Sequence, residues 1–152
     1  MSGPGLVAAP LAGVLTWVLL SGCASPTERY CEALSDSREE LVRLTEEASN
    51  LDDDALGRIV ELFRELRSEA PDDIVDEWST VIFAFESLGS ALEDAGVSAG
   101  EFEPGGSTAG LSAEEREVIE DAATELRSRR VTGAGEGLEQ HARDVCQVDL
   151  TL

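Results

Sequence analysis

Residues 71–96 read PDDIVDEWSTVIFAFESLGSALEDAG. Within them Ile74, Trp78, Val81, Phe85, Leu88, Leu92 and Ala95 recur at alternating spacings of four and three. That is the period of one helix face turned toward a core. Ile82 and Phe83 widen the apolar face, so this is the most apolar helix and the expected centre of the core. Pro71 closes whatever precedes it, because its ring cannot continue a helix. Asp72 and Asp73 are expected in the first turn, beside the positive end of the macrodipole, and Gly96 suits a left-handed C-terminal cap.

Working toward the N-terminus, Leu56, Ile59, Phe63, Leu66 and Ala70 mark a second helix, opened by Asp52-Asp53-Asp54. Before it, Ser25-Pro26-Thr27-Glu28 is a capping box with proline at the first helical position. Tyr30, Leu34, Ser37, Leu41, Leu44, Ala48 and Leu51 continue from it on one stripe, which predicts a helix from about 26 to 49. Toward the C-terminus, Gly100, Pro104, Gly105, Gly106 and Gly110 remove all periodicity, so 97–111 reads as a flexible loop. Ser112 and Glu115 form a second capping box, opening a fourth helix with Ile119, Ala122 and Leu126 inward and an end near Arg129 and Arg130. Gly133, Gly135 and Gly137 then interrupt before a short fifth helix carrying Leu138, Ala142, Val145 and Cys146. No strand pattern appears. The fold class is all-α, a small bundle of four to five helices over residues 27–152.

Upstream of the bundle, residues 6–20 form an apolar run that would rise only about 22 Å as a helix, short of a hydrocarbon core of about 30 Å. Small residues follow, as in a secretory signal peptide spanning 1–22. The segment Leu20-Ser21-Gly22-Cys23 is similar to the lipobox of bacterial lipoproteins. The resemblance implies recognition of Leu20, Ser21 and Gly22 by the signal peptidase, cleavage after Gly22, and a lipid on the Cys23 thiol. Residues 23–26 would then be the lipidated cysteine and a short tether, and the protein would sit on the extracytoplasmic face of the cell membrane. The n-region departs from the pattern: it has no Lys or Arg, so either the α-amino group supplies its positive charge or the true start lies elsewhere. The alternative is an ordinary signal peptide with an incidental cysteine.

Export changes what the cysteines mean. Three are present; with Cys23 lipidated, Cys31 and Cys146 remain as an even pair in an oxidising compartment, which predicts a disulfide. Two buried thiols are the alternative. The bond constrains the topology, because Cys146 must return to the start of helix 1. The preferred route sends the 97–111 loop across the bundle, helix 4 upward, and helix 5 downward beside helix 1. The other route is one bent segment, with helices 4 and 5 both descending.

All charged residues follow Cys23, and the net charge is −21. Every basic residue is arginine. So acidic a surface argues against nucleic acid and against flat adhesion to anionic lipid. Arg127, Arg129 and Arg130 form the one cationic cluster. Their plain role is to complement a helix C-terminus; the sharper one is to dock an acidic partner or lipid headgroups. His141, the single histidine, lacks any metal-ligand spacing and reads as a surface or capping residue. Asp52, Asp54 and Gly57 copy the start of a calcium loop, but Leu56 and Phe63 stand where ligands are required. No metal site, cofactor or catalytic constellation is expected. Phe63, Trp78, Phe83 and Phe85 are expected in the core, with an exposed docking patch as the other place for Phe83.

Tyr30-Cys31, Pro71-Asp72-Asp73-Ile74 with Trp78, and His141-Ala142-Arg143-Asp144-Val145-Cys146 together resemble small exported helical proteins of actinobacteria, over roughly residues 28–150. The resemblance implies no activity; it makes the two cysteines a shared staple. The expected function is a lipid-anchored, non-enzymatic binding or scaffolding module of the cell envelope. Its partners would be the membrane, through Cys23, and an envelope protein or ligand. The alternative is a small-ligand carrier or enzyme with a pocket between helix 3 and the 97–111 loop.

Overall fold

Reciprocal capping sets where the bundle begins. The Ser25 N–H donates to Glu28 Oε2 at 2.6 Å, and the Glu28 N–H donates to Ser25 Oγ at 3.1 Å. Two of the orphan donors of a helix start are thereby satisfied, and the Ser25 bonds hold the Glu28 carboxyl below its usual range. The computed structural model describes residues 25–49, 55–98 and 110–152. The expected helix start at Asp52–Asp54 and most of the 97–111 loop lie outside them, as does the whole signal and lipidation segment.

The elements are α1 (Pro26–Ser49), α2 (Ala55–Glu69), α3 (Val75–Ala95), α4 (Ala113–Leu126), α5 (Arg129–His141) and a π-helical turn (Ala142–Cys146). No strand occurs among the described residues. Three local signals act as read. Ser112 and Glu115 cap α4 reciprocally, Gly96 takes the left-handed conformation at φ 66° after α3, and α1 buries Tyr30, Leu34, Leu41 and Leu44. One boundary moves. Asp72 and Asp73 lie in a turn before α3, closed by the Ile74 N–H to Pro71 carbonyl bond at 3.1 Å, and Asp76 and Glu77 occupy the first turn instead.

The C-terminal half departs further from expectation. Helix 4 ends at Leu126, and Ser128 caps a new helix by accepting from the Val131 N–H. Arg129 and Arg130 therefore open α5 rather than close α4. Gly133, Gly135 and Gly137 do not interrupt; all three lie inside α5. Each glycine costs a helix about 1 kcal/mol relative to alanine, but burial of Val131, Leu138 and the following Ala142 outweighs propensity. Gly137 also permits close approach: a Cβ there would lie 3.4 Å from Glu77 Cγ on α3.

These contacts decide the topology. Leu111 and Ile119 pack near Leu92, Ala95 and Val97 at the far end of α3, whereas Leu138 and Ala142 join Trp78 and Tyr30 at its near end. Helices 4 and 5 therefore descend in succession along α3, as one bent segment. The preferred crossover is incorrect, because only two residues separate α4 from α5 and leave no tight reversal. The π turn is tied to α1, where Cys146 bonds Cys31 across a sequence separation of 115.

The main core joins α1, α2, the near half of α3 and α5; a smaller cluster joins the far half of α3 to α4. Trp78 and Tyr30 are completely buried, and the Trp78 Nε1–H donates to the Tyr30 hydroxyl at 3.1 Å. Phe63 packs on Trp78 with ring centroids 5.3 Å apart and on Phe85 at 5.5 Å. Phe83 corrects the core reading: it is 58% exposed.

Burial raises the Tyr30 hydroxyl from 10.0 to about 12, partly opposed by the Trp78 bond. Because the folded value lies above the unfolded one, the contribution is intact below pH 10 and is lost as pH rises through 12. The linkage amounts to about 2–3 kcal/mol. Tyr30 is the single tyrosine, so tyrosinate absorbance reports it alone. Its titration should lag that of a free tyrosine and coincide with loss of helix by circular dichroism. A normal titration in the folded chain would contradict the burial.

Candidate functional site

Among the described residues an open groove of about 750 Å³ lies between α2 and α3. The antiparallel pair brings Leu56 and Val60 of α2 opposite Phe85, Gly89 and Leu92 of α3, and Val97 and Ser98 stand at one end. Val60 and Leu92 are buried and form its base, while Leu56, Phe85 and Val97 are half-buried and stay accessible. Two glycines keep it open. A Cβ on Gly89 would meet Leu56 Cδ2 at 3.6 Å, and one on Gly57 would meet nothing within 4 Å.

The rim carries charge of one predominant sign. Glu61, Glu86 and Glu93 line it against a single cation, Arg64. Arg64 is already engaged: its Nε and Nη2 donate to Glu86 Oε1 at 3.0 and 2.7 Å, and its Nη1 donates to Glu61. The Glu86 bonds chiefly, with desolvation opposing, raise the guanidinium further above its ordinary value. The arrangement therefore offers an incoming group apolar contact and carboxylate oxygens, with no unspent guanidinium. The pocket expected between helix 3 and the 97–111 loop involves residues that lie mostly outside the described ones; the groove lies between α3 and α2.

The other sequence candidates do not converge on it. Cys31 and Cys146 are bonded to each other at the opposite end of α3. Cys23, Leu20, Ser21 and Gly22 lie outside the described residues. Arg127 caps the end of α4, while Arg129 and Arg130 sit at the positive end of α5. The cluster therefore does not complement one helix C-terminus as read; Arg130 reaches back to Glu125 through its Nε at 3.1 Å, and that bond holds the Glu125 carboxyl below its usual range.

His141 corrects the surface reading. Its side chain is only 10% exposed, with Nδ1 3.9 Å from Asp73 Oδ2. Its ring meets Tyr30 edge-on at 5.8 Å, and Nε2 is buried without a hydrogen-bond partner. Among the described residues no group of three or more metal-capable side chains forms, and no helix is long and apolar enough to cross a membrane.

The α2/α3 groove was missed because its parts lie on separate stripes. Gly57, Glu61 and Arg64 belong to the polar face of α2, and only the register between helices places them beside Gly89 and Glu86. Comparison of the chain with protein-family models, curated proteins and solved structures found no match.

Proposed function

We propose that the protein is a lipid-anchored, extracytoplasmic binding module of the cell envelope, held by Cys23 and without catalytic activity of its own. The observation that carries this reading is the Cys31–Cys146 disulfide, because such bonds persist in exported chains and are rare in reducing compartments. The lipobox-like segment supplies the anchor.

The geometry gives the reading a mechanical form. Helix α1 begins at Pro26, three residues after Cys23, so the tether is short. The Tyr30, Trp78 and His141 contacts and the disulfide gather at that same end. The bundle would stand on its stapled end. The groove would lie one α3 helix away, since Val75 to Gly89 rises about 21 Å. That exceeds the Debye length of about 8 Å at physiological salt, so a partner there would meet the acidic rim with little influence from anionic headgroups.

Intact mass of the mature N-terminus tests the anchor. The expected species starts at Cys23 and carries added acyl mass. A mature chain starting at any other residue, or at an unmodified Cys23, would end the lipoprotein reading.

A further inference from the structure

We infer that the groove between α2 and α3 receives the apolar face of a cationic helical segment from another protein. This rests on the reading of the chain as a binding module and specifies what that module binds.

Three features select the occupant. Leu56 to Arg64 of α2 spans about 12 Å of groove wall, enough for two turns of an incoming helix with anchors at i, i+3 or i+4, and i+7. Leu56, Phe85 and Val97 offer half-buried apolar contacts over a base of buried Val60 and Leu92, beside a polar rim. The absence of a Cβ at Gly57, with nothing among the described residues within 4 Å of where it would stand, leaves room for a side chain from outside.

Charge then fixes the sign. Three carboxylates, Glu61, Glu86 and Glu93, face one guanidinium already spent on two of them. An anionic helix would meet repulsion, and among the described lining residues the one cation, Arg64, is already engaged. A cationic helix would place Lys or Arg beside Glu93 and the outer oxygens of Glu61. The net charge of −21 adds long-range attraction that speeds encounter. The groove contributes what general charge cannot: a match to the spacing of apolar anchors.

The test uses the full-length protein in zwitterionic nanodiscs, with empty nanodiscs subtracted. The probe is a synthetic Leu/Lys helix with leucines at i, i+3, i+4 and i+7 and a benzophenone at the central anchor. The controls are a scrambled peptide of equal composition and a twin with Glu for Lys. The probe should crosslink to α2 and α3 residues lining the groove, while the scrambled peptide and the anionic twin should not.

Gly57→Leu, which fills the open space, should weaken binding at least tenfold while circular dichroism stays unchanged. Ser90→Arg, an exposed change that puts a cation on the rim, should weaken it by a similar factor if Gly57→Leu disturbs folding. Equal crosslinking by the scrambled peptide would reduce the effect to bulk charge and overturn the inference, as would binding unaffected by both substitutions. Binding that appears only after residues 99–109 are replaced by a Gly/Ser linker would assign the groove to the chain itself and overturn it too. The mass measurement reads the anchor and the crosslink reads the groove, so either can fail while the other stands.

Discussion

Reducing the Cys31–Cys146 bond, or replacing both cysteines by alanine, should lower the unfolding free energy by about 4–5 kcal/mol. The estimate comes from the sequence separation of 115: a cross-link closing so long a loop removes much of the unfolded chain's entropy. A domain of this size has about 5–15 kcal/mol in all, so the reduced protein would be marginal. Urea unfolding of oxidised and reduced chains measures the difference. The slope should also rise on reduction, because an unlinked unfolded chain exposes more surface. A local role predicts otherwise. Val148 donates its N–H to Ala142 and Leu150 is buried; if the bond merely pins this tail, hydrogen exchange would speed up over residues 142–150 with little global loss. A change below about 1 kcal/mol would reject the entropic account.

That bond was legible in the sequence because, once export is expected, pairing the two remaining cysteines needs no geometry. The same holds for the two Ser-to-Glu capping boxes and for Gly96, each a signal contained within a few residues. The start of α5 is the instructive failure. Ser128 caps it, but Val131 stands where a capping box would have glutamate, and three glycines follow. Apart from that cap, the glycines argued against a helix there. Tertiary burial of Val131 and Leu138 decided it, and burial belongs to the partner surface of α3, which periodicity cannot supply. The π-helical turn is invisible for the same reason, since Ala142 to Cys146 reads as ordinary helix until the disulfide and Gln147, at φ 57°, show how the chain ends. His141 was read as a surface or capping residue because it stands near a helix C-terminus with no metal-ligand spacing around it. It is covered because its ring lies edge-on to Tyr30 and close to Asp73 of the Pro71–Ile74 turn, contacts between distant segments. The groove belongs to this class too, since Glu61 and Arg64 lie on α2 and Glu86 and Glu93 on α3, and only the packing of the two helices brings them to one rim.

Trp78→Ala should cost about 3–5 kcal/mol, the usual range for emptying a large aromatic site. A further penalty follows because the Tyr30 hydroxyl, completely buried, loses its only donor among the described residues. Phe83→Ala on the same helix supplies the contrast. It removes a ring of comparable size that is 58% exposed, and should change stability by no more than about 0.5 kcal/mol. If both changes cost the same, burial would not be what distinguishes the two faces of α3, and the main core would be wrongly placed. A finer measurement separates packing from the hydrogen bond. Trp78→Phe keeps an aromatic ring on Phe63 but removes the Nε1–H; Tyr30→Phe keeps the ring and removes the acceptor. Each alone leaves one buried polar group unpaired, whereas the double variant leaves neither, so the losses should fall short of additivity by about 1 kcal/mol. Strict additivity would mean that the Trp78–Tyr30 bond contributes nothing to stability, and that shape alone holds α1 to α3 at the stapled end.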